Sequence, residues 1–309
     1  MELDNFEFSE TYLFFWDKWE RSNSFLQFFI DNEGKPEDRI YDCILNHYLS
    51  DGGWWNTFAN LVNKYGVVPK DAMPETASSD WSEDINKTIL KRLKATTALI
   101  CRSRHLDETK LNEIKEECLQ RIYNILVMYL GEPPSETNTF TWYFNKEDGY
   151  HDSKGQAIPD LTPMKFKEMT IPIDPNDFVV LGHIPNYGYN KAYEVKHTDN
   201  VLGGKKLKVL NVPMKVLKNI TVNSVLKNCP VWFAGDVGVG FHPIEAALND
   251  KLLDDELLFG GLETTFTKRD QLRWTNLGGN HAMTLTGVNF DENDNPEQWQ
   301  VENSWGYYD

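Results

Sequence analysis

His281 and Asn303 are the two residues whose types and spacing suit nucleophilic chemistry. They lie 22 residues apart near the end of the chain. An imidazole can act as the base that keeps a cysteine thiol ionised, and a carboxamide at the other ring nitrogen fixes the orientation of the ring. Taken alone, a histidine in a strand is more often structural, so residue types and spacing leave that alternative open.

The stretch around these two residues is typical of a long β-hairpin. Apolar and polar residues alternate over 281–288, turn-forming residues fill 291–296, and a second strand pattern covers 299–303. Antiparallel pairing would place His281, near the start of one strand, beside Asn303, near the end of the next. The hairpin therefore predicts that the two side chains come together.

The elements upstream change from helical to strand-like near residue 137. We expect helices over 8–30, with a break near 22–24, and over 39–48, 54–65, 84–102 and 108–130. We expect strands over 139–144, 178–181, 207–212 and 230–233, a hairpin turn at 201–206 and a helix over 216–226. The chain is thus predicted to form a mainly helical lobe, residues 1–137, and a β-rich lobe, residues 138–309.

The composition narrows the classes of function. The 309 residues carry 31 basic and 47 acidic side chains, and the net charge of −16 repels the phosphates of nucleic acids. The longest apolar runs, such as residues 125–130, are far shorter than the roughly 20 residues that span a bilayer. Nucleic-acid binding and a membrane span are therefore disfavoured.

The four cysteines are spaced like reduced thiols. Cys43, Cys101, Cys118 and Cys229 lie far apart, without a CxxC motif or the spacing of metal ligands. Such thiols are expected in a reducing compartment, and neither a disulfide framework nor a zinc site is predicted. The first five residues do not resemble a signal peptide, so we expect a cytoplasmic protein.

Residues 280–283 (NHAM) and 302–306 (ENSWG) resemble the His and Asn boxes of papain-like cysteine peptidases. Further segments resemble the branch of that group that contains bleomycin hydrolase and bacterial aminopeptidase C. These segments are residues 12–18 with Asn23 and Phe25, and residues 51–55, 64–70, 210–213 and 230–238. They occur in the order of the family over nearly the whole chain, so coincidence is not a serious explanation.

The resemblance implies an α+β papain-like fold with the active-site cleft between a helical and a β-rich part. It implies a cysteine aminopeptidase that removes N-terminal residues from peptides through a thioester acyl-enzyme, without a metal or an organic cofactor. His281 would be first base and then acid, Asn303 would orient its ring, and Trp305 would shield their hydrogen bond from water.

The resemblance implies that three further residues contact the peptide substrate. Gly52 and Gly53 would offer main-chain groups to an extended peptide, which suits residues without a side chain. Asn280 would place its carbonyl near the residue at the cleaved bond. From the residues alone, Gly52 and Gly53 would be a plain turn before a helix.

The nucleophile of this family lies in a Gln…Cys-Trp segment upstream of the helix predicted over 8–30. None of the four cysteines precedes a Trp or begins a predicted helix. We therefore expect this chain to be a fragment without the catalytic Cys or the family's C-terminal arm, inactive and poorly soluble alone. The resemblance implies a homohexamer for the full-length protein, with the arm setting exopeptidase specificity.

A second hypothesis is a non-catalytic papain-like module that binds peptides or assembles with partners after the loss of the Cys. The presence of His281, Asn303, Gly52 and Gly53 argues against it, because a dead site has no use for all of them. A third hypothesis, nucleic-acid binding, is disfavoured by the net charge of −16.

Overall fold

A computed structural model of the chain describes residues 6–33, 38–144, 156–238, 240–242, 244–249, 252, 257–258, 260, 267–275 and 278–304. The chain forms two units. The first comprises Met1–Phe178 and Val195–Leu207, and the second comprises Val179–Glu194 and Lys208–Asp309. The division into lobes at residue 137 stays a prediction.

Helices make up most of the first unit, and the five predicted helices are confirmed. Their ends follow local signals: the Asp107 side chain accepts a hydrogen bond from Lys110 N at 2.9 Å at the start of the longest helix, and Gly131, with φ +86°, ends it. The helices are α1 (Glu10–Asp31), α2 (Arg39–His47), α3 (Trp55–Tyr65), α4 (Ala77–Asp80), α5 (Glu83–Arg102) and α6 (Glu108–Leu130).

Helix α1 runs without the break that was expected near residues 22–24, so that expectation was wrong. Serine and asparagine often disrupt helices because their side chains compete for backbone groups. Here the Ser22 hydroxyl donates to the Lys18 carbonyl within the helix at 2.6 Å, and the Ser24 hydroxyl donates to the Asn200 carbonyl at 2.8 Å. Both side chains are satisfied without unwinding the helix.

The aromatic residues of α1 form the centre of the main core. Phe15 and Phe25 are fully buried and pack with aliphatic side chains of α5 and α6, such as Ile89 and Ile122. Burial of each such side chain stabilises the fold by about 1.5–3 kcal/mol. The packing of α1, α5 and α6 therefore stabilises the first unit.

A smaller core joins α3 to a two-stranded sheet and a short helix. Strands β1 (Phe140–Phe144) and β2 (Gln156–Leu161) pair antiparallel, and α7 (Pro163–Thr170) follows. Trp142 and Phe166 are buried against each other, with ring centroids 5.0 Å apart. Gly66, with φ +73°, ends α3 so close to Pro163 that a Cβ would lie 2.3 Å from the Pro163 carbonyl oxygen.

The second unit contains two three-stranded sheets. Strand β5 (Lys208–Asn211) lies between β3 (Val180–Gly182), which is parallel to it, and β4 (Lys191–Glu194), which is antiparallel. Strand β9 (His281–Phe290) lies between β6 (Val231–Gly235) and β10 (Pro296–Glu302), both antiparallel to it. Among the described residues, this unit also contains α8 (Met214–Val225), β7 (Phe241–His242), β8 (Ala247–Leu248) and α9 (Lys268–Trp274).

The strands that were predicted near residues 139, 178, 207 and 230 and in the final hairpin are confirmed, as is the helix near residue 216. A turn was expected at 201–206, and one is formed there, closed by a hydrogen bond from Gly204 N to Val201 O. It is not a tight hairpin turn, because it lies within a longer connection between β4 and β5. Strands β2, β4, β7 and β8 and helices α4, α7 and α9 were not predicted. In the described part of the chain, no helix is both long enough and apolar enough to cross a membrane.

Candidate active site

His281 is the first residue of the central strand of the β10–β9–β6 sheet. On one side, β6 pairs with β9 so that Gly235 lies opposite His281 and Val231 lies opposite Leu285. On the other side, β10 pairs with β9 and ends with Glu302 opposite Thr284. The backbone of His281 is therefore held within a sheet, which makes the position of its side chain well defined.

A β-bulge places Asn303 on the same face of the sheet as His281. In the middle of the hairpin Gln300 pairs with Gly287, but the next residue, Val301, pairs with Leu285, so Thr286 is an extra residue in β9. With this shift, continuing the register places Asn303 opposite Met283, which lies on the same face as His281. Without it, Asn303 would lie opposite Thr284, on the other face, because side chains alternate along a strand.

The side chains of His281 and Asn303 form the hydrogen bond that the hairpin predicted. Ser304 N donates to Asn303 Oδ1 at 2.8 Å, and since a backbone N–H can only donate, that atom must be the carboxamide oxygen. The same oxygen lies 2.9 Å from His281 Nε2. Nε2 must therefore carry a proton, which makes Nδ1 the basic nitrogen of the neutral ring.

Asn280 ties the start of β9 to the turn that follows β6. Its side-chain oxygen accepts from Val237 N at 3.0 Å, and its Nδ2 donates to Asp236 Oδ1 at 2.8 Å. Asp236 Oδ1 also accepts from Gly238 N at 2.9 Å. Residues 236–238 follow the end of β6, and no sequence signal indicated that they hold Asn280 beside His281.

Gly52 and Gly53 lie in the first unit, on the exposed connection between α2 and α3. Gly52 has φ +82°, a conformation that favours glycine. A Cβ on Gly53 would lie 2.4 Å from Thr57 Oγ1 and 3.2 Å from Arg21 Nη2. The glycine pair is thus required by backbone conformation and by close neighbours, in addition to any contact with a substrate.

The positions of the four cysteines follow the sequence prediction. Cys43 lies within α2, Cys101 in the last turn of α5, and Cys118 in α6, where burial raises the pKa of its thiol. Cys229 precedes β6 at the end of the strand away from His281, because Val231 lies four positions, about 13 Å of strand, before Gly235, which is opposite His281. None of them begins a described helix.

The remaining predictions about the site concern Trp305 and metal ions. Trp305 lies outside the described residues. Among the described residues, no group of three or more His, Cys, Asp or Glu side chains could hold a metal ion. Of the predicted site residues, the second unit therefore brings together His281, Asn303 and Asn280, while Gly52 and Gly53 belong to the first unit.

Comparison with known proteins gives the same assignment for the whole chain. Residues 1–308 match the family model described as the peptidase C1-like family. Aminopeptidase C from Listeria monocytogenes is 36% identical over 307 residues, which cover 98% of this chain and 67% of the relative. Bleomycin hydrolase from Mus musculus is 34% identical over 318 residues, which cover 98% of this chain and 68% of the relative.

A solved structure is also similar. The crystal structure of PepW from Lactobacillus rhamnosis has a TM-score of 0.88 and 29% sequence identity, covering 98% of this chain and 67% of that chain. The α+β papain-like fold predicted from the sequence is therefore confirmed. This chain spans about two thirds of the length of the proteins it matches.

Proposed function

Because this chain belongs to the peptidase C1-like family of papain-like cysteine peptidases, together with aminopeptidase C and bleomycin hydrolase, we propose that it forms part of a cysteine aminopeptidase. The enzyme would hydrolyse N-terminal residues from peptides. The observation that carries the proposal is the hydrogen bond between His281 Nε2 and Asn303 Oδ1, which makes Nδ1 the basic nitrogen. The names of the relatives support the aminopeptidase activity.

The proposed reaction uses His281 first as a base and then as an acid. Nδ1 takes the proton of a cysteine thiol, and the thiolate attacks the peptide carbonyl. The imidazolium returns this proton to the leaving amine as the thioester forms. A water molecule, deprotonated by Nδ1, then cleaves the thioester, which releases the acid and restores the thiol. Asn303 keeps Nε2 protonated throughout, so that the ring presents the same nitrogen to both steps.

We propose that the thiol belongs to a cysteine outside residues 1–309. Cys43, Cys101 and Cys118 lie within helices of the first unit, and Cys229 lies at the end of β6 away from His281. The relatives are about half as long again as this chain, which allows for such a residue. Residues 1–309 alone would then be inactive.

The main chain of three residues would hold the peptide. Gly52 and Gly53 are exposed and would pair with an extended substrate, as strands pair at a sheet edge. Asn280 is fixed by hydrogen bonds to Val237 and Asp236, so its carbonyl has a defined direction beside His281. Trp305 would cover the His281–Asn303 hydrogen bond.

The surroundings of the enzyme are also proposals. Four unpaired cysteines and the net charge of −16 are consistent with the cytoplasm and with peptides, and not with nucleic acid, as the substrate. The homohexamer and the exopeptidase arm implied by the sequence resemblance stay predictions.

The experiment that tests the proposed function uses the full-length gene product and an aminoacyl fluorogenic amide. We expect hydrolysis that a thiol alkylator abolishes, and no hydrolysis of the same amide with an acetylated amino group. His281→Ala should lower kcat by at least about a thousandfold, since general base and acid catalysis are both lost. His242→Ala, a change at another histidine of the second unit, should leave kcat unchanged.

Three outcomes would contradict the proposal. Hydrolysis that survives alkylation would exclude a thiol nucleophile. Equal loss of activity in the His281 and His242 variants would show that the effect is structural. A folded, full-length protein that binds peptides without cleaving them would favour the non-catalytic module.

A further inference from the structure

Two cationic side chains of α1 hold the segment that leads to the glycine pair. Lys18 and Arg21 lie three residues apart and therefore point to the same side of the helix. Between them they donate hydrogen bonds to four of the five backbone carbonyls of residues 48–52. The segment is thus held by side chains rather than by a sheet or a helix.

Arg21 spans the segment from end to end. Its Nη1 donates to the Tyr48 carbonyl at 3.1 Å, and its Nη2 donates to the Gly52 carbonyl at 2.6 Å. Its Nε donates to Asp17 Oδ2 at 2.6 Å, which fixes the plane of the guanidinium group. The planar fork of arginine can make these three bonds at once, whereas a lysine ammonium at the same position cannot.

Lys18 holds the middle of the segment from a fully buried position. Its Nζ donates to the Leu49 carbonyl at 3.0 Å, to the Ser50 carbonyl at 3.4 Å and to Asp51 Oδ1 at 2.5 Å. Burial pulls the pKa of Asp51 upward, but the charge and hydrogen bond of Lys18 and further hydrogen bonds outweigh it, so the pKa lies below its usual value. The further donors are Ser82 Oγ and Asn86 Nδ2 of the α5 region.

The consequence for the glycine pair is a fixed main-chain direction. The carbonyls of residues 48, 49, 50 and 52 point to the buried Lys18 and the partly buried Arg21, and Gly53 follows with an exposed main chain. In the described part of the chain, no hydrogen bond to the Gly53 main chain is formed. Thr57, whose Oγ1 accepts from Trp54 N at 3.0 Å, closes the other side of the turn.

We propose that Lys18 and Arg21 are positioning residues for substrate binding, which hold Gly52 and Gly53 in the conformation that pairs with an extended peptide. This inference rests on the proposed function, because it requires a peptide to bind at the glycine pair. Neither cation contacts the peptide. Their effect is to keep the loop in its binding-competent conformation before the substrate arrives, so their loss weakens affinity by the fraction of molecules that leave this conformation.

Arg21→Lys tests the inference with a matched control, Arg104→Lys. Arg104 also holds two carbonyls of the first unit, donating from Nη2 to Phe29 at 2.7 Å and to Asn32, but these lie at the end of α1 and not in the segment of residues 48–52. Both variants keep the positive charge and lose the planar, forked guanidinium group. A purely structural role predicts similar effects of the two changes on peptide affinity.

The measurement is peptide affinity in the full-length gene product carrying His281→Ala, which prevents turnover. The probe is the tetrapeptide Ala-Ala-Ala-Lys with fluorescein on the lysine side chain, followed by fluorescence anisotropy. If release of the two carbonyls leaves about one molecule in ten in the competent conformation, Kd rises about tenfold in Arg21→Lys. Kd should stay within twofold in Arg104→Lys, and thermal unfolding should show that both variants fold.

The outcomes separate this inference from the proposed function. Equal Kd values for the Arg21 and Arg104 variants, or no binding of the tetrapeptide by the parent protein, would overturn the inference. If the parent binds the peptide in an Arg21-dependent manner but the protein with His281 intact does not hydrolyse it, the proposed function fails while the positioning role stands. If hydrolysis is seen but Kd does not depend on Arg21, the reverse holds.

Discussion

Asn303→Ala removes the oxygen that accepts the proton of His281 Nε2, while it leaves the strands of the hairpin in place. Asn303 follows the last residue of β10, so its side chain is not needed for the backbone pairing of the hairpin. The ring of His281 then loses the partner that fixes its orientation and its tautomer. We expect a loss of kcat with KM nearly unchanged, because Asn303 is not proposed to contact the peptide.

The size of the loss follows from the hydrogen bond. During turnover the imidazole is cationic, and a hydrogen bond to a charged group contributes about 1.5–3 kcal/mol. A change of about 1.4 kcal/mol in the activation free energy alters the rate tenfold. Loss of the 2.9 Å hydrogen bond therefore corresponds to a roughly 10- to 150-fold decrease in kcat. Since Asn303 is exposed, water replaces part of the contact. We therefore expect the lower part of this range, about 10- to 30-fold.

The assay is hydrolysis of an aminoacyl fluorogenic amide by the full-length gene product, with kcat and KM determined separately. Asn289→Ala is the control, because Asn289 is an exposed asparagine on β9 of the same hairpin. A variant Asn303→Ala with kcat within threefold of the wild type would refute the orienting role. So would an equal loss in Asn289→Ala, which would indicate a general disturbance of the hairpin.

Two further predictions concern stability and are measured on the folded chain. Gly66→Ala should lower the free energy of unfolding by more than about 2 kcal/mol, because its φ is +73° and a Cβ would lie 2.3 Å from the Pro163 carbonyl oxygen. Gly131→Ala, with φ +86° and no atom within 4 Å, should cost only the backbone strain, so equal losses in denaturant titrations would contradict the clash. Burial and the charge of Lys268 lower the pKa of His183 below 6.5 in the folded chain. As the pH drops below that value, the unfolded chain binds a proton at His183 more readily than the folded chain does, so the free energy of unfolding falls. His183→Gln should flatten the dependence of Tm on pH between about 7 and 5, and an unchanged slope would argue against this account.

The helices could be predicted because their signals are local. Helix α6 begins after Asp107 and ends at Gly131, and both residues are visible in the sequence as a cap and a stop. Strands β2 and β4 could not be predicted in the same way. Leu161 is the one fully buried residue of β2, and β4 has only Tyr193 half-buried, so neither shows the alternation that marks a strand with one buried face.

The site was predictable to the extent that it lies on one hairpin. His281 and Asn303 were identified from their spacing and their neighbours, and their hydrogen bond confirms the predicted pairing. The roles of Lys18 and Arg21 were not predictable, because their partners lie about 30 positions away along the chain and lysine and arginine on a helix are usually solvated. Long-range polar contacts of this kind need the folded structure.

The bulge at Thr286 makes the His281–Asn303 pair depend on the register of the two hairpin strands and not only on the identity of the two residues. A one-residue slip that paired Val301 with Thr286 would turn Asn303 to the opposite face, whereas a deletion of Thr286 would keep Val301 opposite Leu285 and leave Asn303 on the face of His281. Insertions and deletions between the two residues are therefore tolerable at the tip, residues 291–295, only if the strands keep their pairing. The pairing of Val301 with Leu285 therefore matters for the site as much as the histidine and the asparagine themselves.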